Sequence, residues 1–182
     1  MRSAEERKEI AAAAFARLSN ADTVTQEMLE TALGAEIGPN MNKNYGSLIL
    51  RHGLWDEAMN IAMQSEDKVA FRASWSLENA YELNKAAFVP YAGRLFADFV
   101  ATENGSVQRT YSKMIYDITH RRLAVMGDPT AEAVAAKAFD LLLDPAVRVA
   151  AKVWCMEILL DLCPRIDWVA ENLREAVEAV MQ

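Results

Sequence analysis

The sequence predicts an all-α protein, an α–α superhelix of about three regular helix pairs, with irregular N-terminal helices and a C-terminal capping helix. Three observations lead there. The first is a repeat. From Val69, Val107 and Val147, apolar residues recur at matching positions: Val69/Ala73/Leu77/Ala80, Val107/Tyr111/Ile115/Ile118 and Val147/Ala151/Cys155/Ile158. The match extends upstream to Ala58/Ile61, Phe96/Phe99 and Ala136/Phe139. The valines stand 38 and 40 residues apart, a period that marks stacked helix pairs. The second is punctuation: 7 Gly and 5 Pro in 182 residues are too few for the many turns of an all-β fold. The third is alanine, dense in Ala11–Ala14 and around Ala133–Ala138, which favours helix and close helix approach.

Each element has a local reason. Residues 3–18 form a helix that Ser3 caps, with Glu6 at capping-box spacing. Residues 25–33 form a second, stopped by Gly34. The stretch Gly38-Pro39-Asn40-Met41-Asn42 is a loop by composition, and residues 45–52 form a third helix before Gly53. The regular array follows as helix pairs 54–64 with 68–83, 86–101 with 107–122, and 131–143 with 146–162. A helix over 168–181 closes the stack. Pro90 and Pro145 fall near helix starts, where proline is tolerated. The loops Ser65-Glu66-Asp67, Thr102–Ser106 and Asp144-Pro145 offer capping side chains. No linker divides the chain, so one domain over 1–182 is expected, irregular over 1–53 and repeat-like over 54–182.

Bulk properties narrow the function classes. The net charge of −7 opposes general binding to nucleic acid or anionic membrane. No run is apolar enough to cross a membrane, and the charged start lacks a signal-peptide core, so a cytoplasmic location is expected. Cys155 and Cys163 lie about 12 Å apart along one helix, too far for a disulfide, and are expected to be reduced.

Asp144-Pro145-Ala146-Val147-Arg148, followed by Ala151, resembles the second-helix signature of HEAT repeats. Residues 65–77 and 104–115 are looser copies, with the arginine displaced to Arg72 and Arg109. The resemblance covers the chain from about Leu54 onward and implies a right-handed HEAT-like solenoid whose second helices line a concave groove. Phe71–Glu78 and Cys155–Leu159 are similar to small bacterial HEAT-like proteins of unknown function, some of them called adenylosuccinate lyases. Nothing here matches the serine-rich catalytic loop of those lyases, so lyase activity is not expected.

Chemistry-bearing motifs are absent from the sequence. There is no zinc-ligand spacing, phosphate-cradling glycine loop or nucleophile elbow. No catalytic residue, metal or cofactor is therefore expected. At 100° per residue, the side of each second helix opposite the core carries three sets. These are Phe71/Trp75/Glu78/Glu82, Arg109/Lys113/Tyr116/His120 and Val149/Val153/Met156/Leu160. Arg72, Trp75, Arg109, Lys113 and Tyr116 are the candidate binding residues, because aromatics and arginine carry most interface energy. The aliphatic set is expected to be buried by the C-terminal helix. Early halves of these helices are basic (Lys68, Arg72, Arg109, Lys113, Arg148, Lys152) and later halves acidic (Glu78, Glu82, Asp117, Glu157, Asp161). This order opposes the helix dipole and points to inter-helix salt bridges or a ligand.

The expected function is a non-catalytic scaffold binding a protein or peptide partner. The alternative is a nucleic-acid binder of the kind seen in HEAT-like alkylpurine DNA glycosylases, which overall acidity disfavours. A homodimer through Trp154, Trp168 and Leu173 is a further expectation.

Overall fold

The computed structural model describes residues 3–35 and 38–180, and the regular structure among them is entirely helical. The chain divides into two compact units, Met1–Phe88 and Val89–Gln182.

The first unit holds α1 (Ala4–Ser19), α2 (Gln26–Gly34), α3 (Met41–His52), α4 (Trp55–Gln64), α5 (Asp67–Leu83) and the single turn α6 (Lys85–Phe88). Ser3 and Glu6 close the expected capping box, with the Glu6 amide donating to Ser3 Oγ at 3.1 Å and the Ser3 amide to Glu6 Oε2 at 2.6 Å. Thr25 caps α2, and Gly53 ends α3 in the left-handed conformation (φ 67°), where glycine carries no Cβ penalty. α3 starts at Met41, four residues before the expected Tyr45, so the composition-based loop is shorter than predicted.

Packing before Leu54, which the helix pattern alone does not give, is ordered. Asn60 of α4 donates to Gln26 of α2 at 2.8 Å, and Ser65, one residue past α4, donates to Glu30. The contacts advance together along both helices, so α2 and α4 run parallel. α3 and α5 do the same: Ser76 Oγ lies 3.5 Å from Met41 Sδ, and Gly46 abuts Ser76, Asn79 and Ala80. A Cβ on Gly46 would fall 2.7 Å from Asn79 Cβ and 3.0 Å from the Ala80 nitrogen, so this approach admits no side chain. Leu29, Leu33, Leu48, Ile49, Met59, Ile61 and Leu77 form the core, each such side chain contributing about 1.5–3 kcal/mol by leaving water. Phe88 closes it, edge-on to both Trp55 and Tyr81.

The second unit opens with a 3-10 turn (Val89–Tyr91) and holds α7 (Ala92–Ala101), α8 (Gly105–His120), α9 (Asp128–Leu143), α10 (Val149–Leu162) and α11 (Asp167–Val180). Asn104 caps α8, accepting from the amides of Ser106 and Val107. α7 packs on α8 and α9, α8 on α10, and α11 on α9 and α10. The repeat positions coincide with the core. All of them are buried in both units except Ala136, which is exposed, and Val147, which is half-buried.

Three expectations are corrected. The helix expected over 86–101 is broken into α6, the 3-10 turn and α7, because Pro90 lacks an N–H and disfavours helical geometry at the residue before it. The helix expected from Ala146 begins at Val149: Asp144 Oδ1 accepts from the Ala146 amide in a side-chain turn that holds 145–148 outside the helix. This lifts Val147 out of the core. Finally, the aliphatic ridge of α10 is not covered by α11: Val149 is 76%, Val153 40% and Leu160 51% exposed. The expected end of the last helix, Met181, lies outside the described residues.

Candidate functional site

The five candidate binding residues separate between the units. Arg72 and Trp75 lie on α5 in the first; Arg109, Lys113 and Tyr116 lie on α8 in the second. Arg72 is only 6% exposed, and its guanidinium donates to the carbonyls of Leu33 and Ala35 (2.9 Å to the latter). Those carbonyls belong to the last turn and cap of α2, where no intrahelical donor remains for them. Arg72 therefore clasps α2 onto α5. Trp75 is partly exposed and stacks on Phe71 with ring centroids 5.4 Å apart.

The second unit brings its three candidates together and adds residues the helix pattern does not single out as neighbours. Tyr116 stacks on Trp154 of α10, with centroids 5.5 Å apart and planes 29° from parallel. It also lies 5.1 Å from the ring of His120, one turn on. His120 Nδ1 lies 3.4 Å from Asp161 Oδ1, and Thr119 Oγ1 lies 3.4 Å from Asp161 Oδ2. These pairs climb in the same direction along both helices, so α8 and α10 run parallel. Their outward ridges therefore lie side by side.

On α10, Val149, Val153, Met156 and Leu160 fall within about 60° of one another at 100° per residue. The buried residues Ala151, Cys155, Ile158, Leu159 and Leu162 occupy the opposite side. The ridge of α8 carries exposed Arg109 and His120 with half-buried Lys113 and Tyr116 between them. The joint face thus has an aliphatic row along α10, an aromatic step across both helices, and cations at its early end.

At its late end the face runs into a cleft of about 560 Å³ lined by Thr119, His120, Arg122, Val125, Asp161 and Arg165, among others. Val125 is 95% exposed. Arg122 holds a left-handed backbone (φ 54°), a strained choice for a non-glycine residue. Arg165 donates to the carbonyl of Met126 and to Asp128, both at 2.8 Å, and so pins the loop that forms the cleft wall.

The His120–Asp161 contact has no serine or cysteine nucleophile among the residues lining the cleft. Burial pushes the Cys155 thiol up to about 12 and raises that of Cys163, which disfavours the reactive thiolate in both. Among the described residues, no three His, Cys, Asp or Glu side chains gather as a metal site, and no helix is long and apolar enough to cross a membrane.

Trp154, Trp168 and Leu173, the residues expected to mediate a homodimer, are engaged inside the unit. Trp154 stacks on Tyr116, Trp168 Nε1 donates to Glu132 at 2.6 Å, and Leu173 is buried. Trp154 stands 38 residues after Tyr116, whereas the repeat advances 40 residues between these two helices and matches Tyr116 with Met156, so the repeat offset does not single out the stack.

Comparison with known proteins returns no similarity: no family model, curated protein or solved structure matches this chain.

Proposed function

We propose that this protein is a non-catalytic, HEAT-like helical-repeat scaffold that binds a protein or peptide partner on the α8–α10 face. The observation that carries the reading is the exposed aliphatic row Val149, Val153 and Leu160 beside the Tyr116–Trp154 stack. A helix that is apolar on every side is ordinarily buried on every side, and a contiguous apolar strip left outside marks an interaction surface. Parallel packing of α2 on α4, α3 on α5 and α8 on α10 supports helix-pair repeats within each unit.

The test is capture from native extract by the tagged chain, with and without nuclease, beside two variants, Val153→Glu and Arg109→Glu/Lys113→Glu. Expected is a bound protein that survives nuclease and is lost in both variants. Partners retained equally by both variants would remove the α8–α10 face from the reading. Nucleic acid in the eluate, lost on nuclease treatment, would replace the scaffold with the nucleic-acid reading.

A further inference from the structure

We infer that the segment docking on the α8–α10 face is an amphipathic helix with an apolar stripe and acidic residues at one end. This rests on the reading of that face as a binding surface and adds the chemistry of its occupant.

The row Val149–Val153–Met156–Leu160 is spaced 4, 3 and 4 residues and spans about 16 Å, three helical turns. Such a row complements the i, i+3/i+4, i+7 anchors of a partner helix. Its neighbour is a second, parallel helix carrying Tyr116 at the same level, so the two ridges lie side by side. Strand addition requires a sheet edge, and the described residues contain no strand.

Charge distinguishes the two ends of this row. Arg109 on α8, and Arg148 and Lys152 on α10, have no ion-pair partner among the described residues. All three sit at the early ends of parallel helices, where the helix dipoles already place partial positive charge. The local chain is less stable for this arrangement, and an acidic ligand relieves it. At the late end the acids are largely held: Asp117 accepts from Arg121, and Asp161 faces Thr119 and His120. Glu157 alone lacks a partner there among the described residues. The face therefore presents unbalanced positive charge at one end of an apolar row, and its complement is a helix with carboxylates at that end. A second copy of this chain is a poorer fit, because two molecules of net charge −7 repel.

The experiment displays a library of 16-residue segments against the immobilised full chain, with parallel selection on Val153→Glu. Circular dichroism melts confirm that the variant folds. Enriched segments are expected to carry apolar residues at helical spacing and an excess of Asp and Glu toward one end, and to be lost on Val153→Glu. A representative synthetic segment, followed by fluorescence anisotropy, should bind Arg109→Glu/Lys152→Glu about tenfold more weakly, an effect the Glu→Lys version of the segment reverses. Segments that need Val153 but show no acidic excess would overturn this inference and leave the binding face standing. Segments retained equally by Val153→Glu would overturn both. An absence of any enriched segment would overturn the helical occupant. A dimer of the full chain in sedimentation, abolished by Val153→Glu, would overturn a foreign partner in favour of a second copy.

Discussion

α5 and α10 carry matching apolar positions in the sequence, yet one is enclosed and the other is left open. α5 meets α2, α3 and α4, and even its polar Arg72, Ser74, Ser76 and Glu78 are buried. α10 is more apolar in sequence but keeps Val149, Val153 and Leu160 outside. Periodicity defines the side of a helix that faces its own core. What lies against the opposite side depends on whether another element arrives, and that is a tertiary outcome. The comparison also divides the basic residues of the early halves. Arg72 is consumed by backbone carbonyls inside the fold, whereas Arg109 remains at the surface.

The largest effect that would test this contrast is at Gly46. In most helix interiors Gly→Ala is stabilising, but here the new Cβ meets α5 backbone at 3.0 Å. Gly46→Ala is expected to cost about 3 kcal/mol, lowering the melting temperature by roughly 6–12 °C in a calorimetric scan. An unchanged melting point would mean that α3 and α5 are not locked together. Next comes Arg72→Ala, which strands buried carbonyls at the end of α2 and should cost about 1–3 kcal/mol in urea unfolding. Arg109→Ala should stay within about 0.5 kcal/mol of the parent. Equal losses at both arginines would erase the distinction drawn between them. Val153→Glu should leave stability within about 0.5 kcal/mol while abolishing partner capture. A large stability loss there would show that the ridge is structural. The smallest effect is expected at Gly93, near the start of α7, where nothing beyond the helix's own backbone and the adjoining residues lies within 4 Å of the position a Cβ would take. Gly93→Ala should stabilise by about 0.5 kcal/mol, opposite in sign to Gly46→Ala.

Much of the fold is legible in the sequence because its signals are local. Ser3 with Glu6, Asn104 and Gly53 announce helix ends through side-chain and backbone chemistry within four residues. The buried faces follow from 3.6-residue periodicity. Pro90 carries the information for its break, but a proline so near the expected helix start also fits a tolerated first turn. Gly46 is silent, because a close approach is invisible until α5 is in place. In the candidate site, Arg109, Lys113 and Tyr116 share one ridge and emerge together. Arg72 lies one position off the corresponding ridge of α5, enough to turn it toward α2. Trp154 escapes a helix-by-helix reading because its partner stands on a different helix, and periodicity does not rank contacts between ridges.

The Arg72 clasp also bears on the order of events during synthesis. The carbonyls it satisfies lie 37 and 39 residues earlier in the chain. Chains generally emerge and fold from the N-terminus, so α1 and α2 leave the ribosome well before the side chain that completes the end of α2. Until residue 72 is clear of the exit tunnel, that helix end depends on water for its hydrogen bonds. Residues 3–35 are then a waiting segment, and a pause in translation before the Arg72 codon would lengthen their exposure to chaperones and proteases.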